Sequence, residues 1–195
     1  MYEKILEEAK KRDGIITTAD VEKMNYSRMT LTNMVKDGLL VREDSGIYLT
    51  QDADYDEFYI FQLKHPNAIF SHNTALYFFN KTERTPIKID VTVHNSYNAS
   101  SFGETYVVYY VKKEILNMGV TEVVSPQGQK VKCYNLERTV CDIVKNSKNI
   151  DIETRNKAIK ECIREKSFNG NLMYEYAQKM KIYKKLKTMM EALIW

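Results

Sequence analysis

The sequence is poor in the residue patterns that build metal and cysteine-based sites. Its 195 residues include three cysteines and three histidines. The cysteines form no CxxC pair and the histidines no HxH or HExxH spacing, so the sequence predicts no metal site. An odd number of scattered cysteines is typical of a protein from a reducing compartment, and we expect a cytoplasmic location.

Long apolar runs and glycine-rich loops are also missing. No run approaches the ~20 apolar residues that a membrane-spanning helix needs, and the segment MYEKILEEAKKR lacks the pattern of a signal peptide. With only 7 Gly, the chain has no phosphate-binding glycine loop, and it has no GxSxG motif. We therefore expect no catalytic residue, no cofactor and no membrane partner.

Two isolated residues could suggest chemistry. Asp90 lies in a predicted strand and could belong to a metal-dependent nuclease, but no E-x-K pattern follows on the next strand. Cys141 lies beside Asp142 on the apolar face of a predicted helix, and we expect it to be buried rather than nucleophilic. Neither residue changes the expectation that the protein is not an enzyme.

The N-terminal segment predicts two short helices. Residues 2–12 have the apolar spacing of an amphipathic helix. Thr17 or Thr18 can cap a second helix, because a hydroxyl oxygen satisfies an N–H that has no partner within the helix. Ala19 and Met24 are predicted to point inward from that helix.

A third helix and a hairpin follow. Ser27 can cap a helix over residues 28–37, where Leu31, Met34 and Val35 form a core stripe at i, i+3, i+4. Tyr26, before this helix, is expected in the core. Strand patterns at 39–41 and 47–49 flank the turn EDSG and form a small wing. This order is the layout of a winged helix-turn-helix, which most often binds DNA and in other cases docks a protein.

Polar side chains outside the core stripe of the third helix predict the DNA contacts. Arginine can read guanine, asparagine can read adenine, and threonine can bond phosphate or base edges. The alternative is that these side chains only solvate a small helical domain. We favour DNA contact for Arg28 and leave both interpretations open for Asn33 and Lys36. The predicted set is Arg28, Thr30, Thr32, Asn33 and Lys36.

Charge is distributed unevenly along the chain. Residues 1–50 hold 8 Lys/Arg and 9 Asp/Glu, residues 51–65 hold 1 and 4, and residues 66–195 hold 20 and 13. Because attraction to phosphate supplies much of DNA affinity, the C-terminal part is expected to add to it or to bind another acidic surface. The alternative, that the surplus lysines only maintain solubility, is equally open. The candidate basic patch is Lys157, Lys160, Arg164, Lys181, Lys184, Lys185 and Lys187.

These patterns predict an α+β protein in three parts. They are a winged helix-turn-helix at 1–50, an acidic linker at 51–65 and a mixed α/β domain at 66–195, in which a small sheet precedes a helical block. The predicted elements of that domain are a helix at 71–80, strands at 88–94, 105–112, 121–125 and 130–134, and helices at 136–145, 153–166, 172–179 and 184–193.

The motif NLERTVCD, residues 135–142, is distinctive within the second domain. Asn135 can cap the helix, and Glu137 lies in its first turn, where the helix dipole favours acids. Arg138 and Asp142 have the i, i+4 spacing of an ion pair. We favour a structural anchor that holds the helix on the sheet, and the alternative is a partner-binding surface.

Taken together, the helix-turn-helix, the DGLL…GIY wing and the LERTVCD helix resemble the AbiEi antitoxins, streptococcal members in particular. The resemblance implies a winged helix that binds inverted repeats in its own promoter and represses transcription. It also implies a C-terminal domain that counteracts a nucleotidyltransferase-like toxin without a stable complex, the type IV arrangement of abortive-infection systems. The DNA-contact role of the family maps onto Ser27, Arg28, Thr30, Thr32 and the wing residue Arg42.

Two other functions fit the sequence. One is a one-component transcriptional regulator whose C-terminal domain senses a small ligand. The other is an enzyme that reverses a modification made by a toxin, which would need polar groups gathered in one pocket. The sequence shows no such group.

Overall fold

The protein forms two compact units. The structure, a computed structural model, describes residues 2–82, 85–147 and 152–194. Unit 1 comprises Met1–Lys64 and Ser125–Gln129, and unit 2 comprises His65–Val124 and Lys130–Trp195. None of the described helices is long and apolar enough to cross a membrane.

Unit 1 is a winged helix with an additional C-terminal helix. An antiparallel sheet with strand order β1-β3-β2 is surrounded by four helices within the described part of the unit. Its elements are α1 (Tyr2–Lys10), β1 (Ile15–Thr17), α2 (Thr18–Lys23), α3 (Arg28–Lys36), β2 (Leu40–Asp44), β3 (Ile47–Thr50) and α4 (Glu57–Lys64).

The core of unit 1 follows the predicted stripe of α3. Leu31 and Met34 are fully buried, and they pack in one cluster with Ile5 of α1 and Val21 of α2. Tyr26 packs against the same cluster, which confirms the prediction that it belongs to the core.

The cap of α2 confirms one prediction and corrects another. Thr17 is the N-cap, its Oγ1 accepts from the Asp20 backbone N–H, and the Asp20 carboxylate accepts from the Thr17 N–H in a reciprocal capping box. Ala19 is exposed, and Asp20 is buried in its place. Asp20 forms an ion pair with Arg12 at 2.6 Å. A position whose residue type predicts exposure therefore carries a buried, paired carboxylate.

The expected acidic linker at 51–65 is not a linker over most of its length. Glu57–Lys64 forms α4, and its Ile60 packs with Ile15 and Ile47 of the sheet. Asp56 is fully buried and accepts a hydrogen bond from the Tyr59 backbone N–H at the start of the helix. The four acids suggested a solvated segment, whereas the apolar residues that follow them, Phe58, Ile60 and Phe61, give the helix a buried face.

Unit 2 is a mixed sheet covered by helices. The sheet has the order β6-β5-β4-β8-β7, with parallel pairs β5–β6 and β4–β8 and antiparallel pairs β4–β5 and β7–β8. Its elements are β4 (Ile69–Phe70), α5 (His72–Phe78), β5 (Ile89–His94), β6 (Tyr106–Val111), α6 (Lys113–Leu116), β7 (Val120–Val124), β8 (Lys130–Tyr134), α7 (Leu136–Lys145), α8 (Ile152–Ile163), α9 (Gly170–Lys179) and α10 (Tyr183–Ile194).

Helix α7 lies at the centre of unit 2. It packs against α5, α8, α9 and α10, and every residue from Leu136 to Val144 is buried. The helical cluster includes Val140 and Val144 of α7, Ile159 of α8 and Leu186 of α10. The arrangement of helices and sheet confirms the predicted α+β class, with a winged helix-turn-helix followed by a mixed domain.

Candidate DNA-binding surface

The exposed face of α3 presents most of the predicted DNA contacts. Arg28, Thr32, Asn33 and Lys36 are exposed. The core stripe turns the opposite face of the helix inward, so these four side chains project from the surface of unit 1. Such a row at the second helix of a helix-turn-helix has the geometry that reads base edges in a major groove.

Thr30 does not belong to this surface. Its exposed fraction is 9%, because it lies one turn before the buried Met34 and on the same side of the helix. Thr30 therefore flanks the core stripe rather than facing solvent, and its hydroxyl is poorly placed for the DNA contact that was predicted for it.

Met29 replaces Thr30 on the exposed face and was not predicted. Its side chain is 62% exposed, although methionine usually lies in the core. An apolar side chain beside Arg28 and Thr32 can contact the methyl group of thymine. Its position one turn before Asn33, away from the core stripe, was the sequence signal that could have identified it.

Arg28 and Ser27 both have partners at the start of α3. The Arg28 guanidinium is hydrogen-bonded to the carboxylate of Glu22 on α2, and both side chains are exposed. Ser27 is the N-cap of α3, and its Oγ accepts from the Met29 backbone N–H at 3.2 Å. The hydroxyl of Ser27 is thus a cap first, and it remains exposed.

The wing carries charges of both signs. Arg42 is exposed on β2, and its Nε donates to the carbonyl oxygen of Asp44 at 3.3 Å across a bulge in the strand. The Asp44 carboxylate pairs with Lys64 of α4 at 2.6 Å. Arg42 therefore lies on the exposed wing, where it can contact a DNA backbone. The charges around it are of both signs and do not form a basic surface.

The LERTVCD helix has the geometry of an internal structural anchor. Arg138 is fully buried, and its Nε donates to both carboxylate oxygens of Asp142 at 3.1 Å. Its Nη1 donates to the carbonyl oxygens of Ile115 and Met118 at 2.7 and 3.0 Å. These bonds tie α7 to α6 and to the segment between α6 and β7, as the anchor interpretation expects.

Glu137 adds a further contact to the anchor. Its Oε1 accepts from the backbone N–H of Asn169 at 2.7 Å, just before α9. Asn135 caps α7 and accepts from the Arg138 N–H at 3.0 Å. Glu137, Arg138 and Asp142 are all buried, so none of them forms an exposed partner-binding surface.

A second buried polar network surrounds His72, and the sequence did not reveal it. The imidazole stacks on the Tyr109 ring with centroids 3.5 Å apart. Its Nδ1 lies 2.9 Å from Ser71 Oγ, and its Nε2 lies 2.9 Å from the amide nitrogen of Asn146. Because that amide nitrogen only donates, Nε2 accepts and the proton resides on Nδ1. Ser71 Oγ also accepts from Thr92 Oγ1 at 2.8 Å.

Burial in this part of unit 2 shifts two pKa values in the direction that favours the neutral form. Burial, followed by the positive charges of Arg138 and Lys145, lowers the pKa of His72 to about 3. Burial raises the pKa of Asp90, although hydrogen bonds from the backbone and side chain of Asn73 oppose the change. His72 also has a backbone φ of 48°, a left-handed conformation that is costly for a residue with a Cβ. The hydrogen bonds and ring stacking of His72 therefore stabilise this conformation of the strand-to-helix turn at Ser71–His72.

The candidate chemical groups do not form a catalytic or metal cluster. Asp90 accepts two hydrogen bonds from Asn73 rather than joining other carboxylates. Cys141 is fully buried, as expected, and burial raises the pKa of its thiol to about 12. Among the described residues no group of three or more His, Cys, Asp or Glu side chains could hold a metal ion.

The predicted basic residues lie on the outer faces of α8 and α10, in the turn just after α8 (Arg164) and in the turn before α10 (Lys181). All seven are exposed. Arg164 pairs with Glu161 at 2.8 Å, and the Lys185 ammonium donates to the carbonyl oxygen of Lys145 at 3.3 Å. The remaining members are Lys157, Lys160, Lys181, Lys184 and Lys187. The basic surplus is thus displayed on the helical side of unit 2.

Comparison with known proteins supports the interpretation of unit 1. Residues 3–51, which span the winged helix, match the family of transcriptional regulators described as AbiEi antitoxins. This family is a class of regulators and antitoxins rather than of enzymes. No curated protein matches the chain significantly.

The fold of the whole chain is also similar to a solved structure. The crystal structure of the RV2827C protein from Mycobacterium tuberculosis matches with a TM-score of 0.52 and 10% sequence identity, over 95% of this chain and 77% of that chain. At this identity the likeness concerns the fold alone. The similarity to a family of known proteins rests on the winged helix, whose residues 3–51 are similar to the transcriptional regulators described as AbiEi antitoxins.

Proposed function

We propose that this protein is the antitoxin of a type IV toxin–antitoxin system and the repressor of its own operon. The observation that carries the proposal is the exposed row Arg28, Thr32, Asn33 and Lys36 on α3 of a winged helix whose sequence matches AbiEi regulators. In this proposal α3 enters the major groove of promoter DNA that contains inverted repeats, in the bacterial cytoplasm.

Base recognition in this proposal is shared among a few side chains. Arg28 reads a guanine, Asn33 reads an adenine, and Met29 meets a thymine methyl group. Ser27, Thr32, Lys36 and Arg42 contact phosphates or base edges, which fixes the register of the protein on the duplex. Arg28 must exchange Glu22 for its DNA partner, and an exposed ion pair offers little resistance to that exchange.

Unit 2 supplies the second half of the function. The charge counts support this division, since residues 1–65 hold 9 Lys/Arg against 13 Asp/Glu while residues 66–195 hold 20 against 13. We propose that unit 2 adds phosphate contacts and counteracts a nucleotidyltransferase-like toxin without a stable complex. The buried positions of Glu137, Arg138 and Asp142 favour a structural role for the LERTVCD helix in this unit.

One experiment tests both halves. A gel shift with the DNA upstream of the gene, alongside a growth assay in which the neighbouring gene is co-expressed, should show specific binding and rescue from toxicity. Loss of both activities would contradict the proposal. Specific DNA binding without any rescue would favour a plain transcription factor.

A further inference from the structure

A groove on unit 2 combines an apolar floor with three cationic side chains. It lies between α8 and α10 and has a volume of about 540 Å³. Its lining residues are Arg155, Asn156, Lys184, Lys185, Thr188, Met189, Ala192 and Leu193. The volume falls within the range of small-molecule sites, which are mostly apolar with a few convergent polar groups.

The charge of the groove is of one sign. Arg155, Lys184 and Lys185 line it, and none of the described residues that line it carries a carboxylate. Three cations around one opening favour a ligand that carries several negative charges, such as a di- or triphosphate, over a molecule with a single carboxylate.

Two of these cations are held in place. Nε and Nη2 of Arg155 donate to the Oδ1 of its neighbour Asn156 at 3.2 and 3.1 Å, which fixes the plane of the guanidinium. The Lys185 ammonium donates to the carbonyl oxygen of Lys145, the last residue of α7. Side chains that are already oriented lose less conformational entropy when a ligand binds.

The floor suits a planar ring better than a phosphate. Met189 and Leu193 are partly buried against the helical core, and their remaining surface borders the groove. A methionine thioether contacts aromatic rings favourably. Asn156 and Thr188 supply an amide and a hydroxyl in the same groove, groups that can bond a heterocycle or a sugar.

We propose that this groove binds a nucleoside polyphosphate, with the base on the Met189–Leu193 floor and the phosphates at Arg155, Lys184 and Lys185. The site uses side-chain cations in place of a glycine loop, which agrees with the low glycine content of the chain. This proposal goes beyond DNA binding, because it assigns a small-molecule ligand to Lys184 and Lys185, two members of the basic patch.

Calorimetric titration of the full-length protein, without DNA, tests the proposal. ATP and GTP are the probes, tripolyphosphate is the control for charge alone, and dodecanoate is the control for an aliphatic anion. One of the two nucleotides should bind with 1:1 stoichiometry and at least about tenfold more tightly than tripolyphosphate. Equal binding of tripolyphosphate overturns the proposal, as does a preference for dodecanoate or the failure of both nucleotides at millimolar concentration.

Two matched pairs of variants locate the site. Lys184→Gln should weaken nucleotide binding about tenfold, because it removes a charge-assisted contact, whereas Lys187→Gln, on the same helix but outside the groove, should leave it unchanged. Ala192→Trp should block the groove without changing the charge, and Gln178→Trp, an equally neutral change at an exposed position of α9 outside the groove, is its control. Equal effects within either pair place binding elsewhere and overturn the assignment.

Discussion

Arg28 at the start of α3 is hydrogen-bonded to Glu22 at the end of α2, so the residue best suited to read a base already has an anionic partner. Both side chains are exposed, and exposed ion pairs are readily exchanged. In the proposed complex the guanidinium therefore leaves Glu22 for a guanine. The pair also cancels the positive charge at this point, which agrees with the acidic balance of the whole unit.

Replacing Arg28 and Thr32 together with alanine should abolish specific promoter binding. Loss of base contacts should reduce affinity for the operator by roughly ten- to a hundredfold relative to random DNA. Both residues are exposed and lie outside the core formed by Leu31 and Met34. Fluorescence anisotropy with operator and random duplexes measures the change.

The control for this variant is Lys4→Ala. Lys4 is exposed on α1, so its loss removes one positive charge from unit 1 without touching α3. Its specificity ratio should equal that of the wild type. Unchanged sequence preference in the Arg28/Thr32 variant would mean that another surface reads the DNA.

The stability of unit 2 should fall as the pH drops below about 6.5. His72 has a pKa of about 3 in the folded protein and about 6.5 when unfolded. Between these two values the unfolded state binds a proton at His72 and the folded state does not. Its contribution is complete above the unfolded pKa and is lost as the pH falls toward 3. The slope from this one group is at most about 1.4 kcal/mol per pH unit.

Urea unfolding between pH 7.5 and 4 measures this effect. His72→Gln should flatten the pH dependence, because glutamine does not titrate, even if the variant is less stable at pH 7. His94→Gln is a suitable control, since that side chain is partly exposed and bonds Ser96. An unchanged slope in His72→Gln would assign the acid sensitivity to other groups.

Local patterns were sufficient to predict the winged helix. Thr17 and Ser27 are capping residues with short-range partners, and Leu31 and Met34 are one face of one helix, so all of this information lies within a few residues. The errors arose where burial depends on distant residues. Asp20 is buried because Arg12 pairs with it, and α4 is a helix of unit 1 because Ile60 meets the sheet.

The second unit was predicted less completely for the same reason. Helix α7 was predicted with its observed bounds and its Arg138–Asp142 pair. Strand β4 has only two residues, too few for an alternating pattern, yet it lies between β5 and β8 in the sheet. The His72 network joins Ser71, Tyr109 and Asn146 from three parts of the chain, and no local spacing indicates it.

Breaking the Arg138–Asp142 pair should destabilise unit 2 strongly. Arg138→Met leaves the Asp142 carboxylate buried without its cation, a change that typically costs about 3–5 kcal/mol of unfolding free energy. Burial already raises the pKa of Asp142 and Arg138 opposes that rise, so the carboxyl group should become still harder to ionise. Equilibrium urea unfolding measures the loss.

The double variant Arg138→Met, Asp142→Leu separates an anchor from a partner-binding surface. It removes both charges, so part of the lost stability should return, while the carbonyl oxygens of Ile115 and Met118 remain without the donor that Arg138 supplied. If the pair is only an anchor, protection against the toxin should return with stability. Restored stability without protection would show that the charges themselves act on a partner.

A fragment of residues 1–65 should fold with lower stability and bind DNA more weakly than the full chain. The turn Ser125–Gln129 belongs to unit 1, and Ser125 Oγ donates to the fully buried carboxylate of Asp56. A buried acceptor that loses its donor costs about 1–3 kcal/mol. The fragment is also acidic, with 9 Lys/Arg against 13 Asp/Glu, so phosphate attraction should be weaker.

Ser125→Ala in the full chain is the matched test of the hydrogen bond. It should reproduce part of the stability loss of the fragment while leaving DNA affinity close to that of the wild type. A fragment that binds promoter DNA as tightly as the full protein would exclude the basic second unit from the DNA interface.

Operator binding should depend strongly on salt, and part of that dependence should come from α10. Counterion release makes log affinity fall linearly with log salt, by ~0.9 for each phosphate neutralised. Charge reversal at Lys184, Lys185 and Lys187, which are all exposed on α10, should reduce the slope while sequence preference is retained. Affinity measured between 50 and 200 mM salt, roughly the range over which such contacts respond, gives the slope.

The single variant Lys187→Glu decides between DNA and the groove as the role of these lysines. Lys187 lies outside the groove that Lys184 and Lys185 line. If this single substitution is enough to reduce the salt dependence of DNA affinity, the outer face of α10 contacts phosphates directly. If only the triple reversal acts, and it removes protection against the toxin while DNA binding persists, the lysines serve the toxin-directed function of unit 2. If neither variant changes DNA binding or protection, the patch is a solvated face, and the charge division between the two units does not reflect their roles.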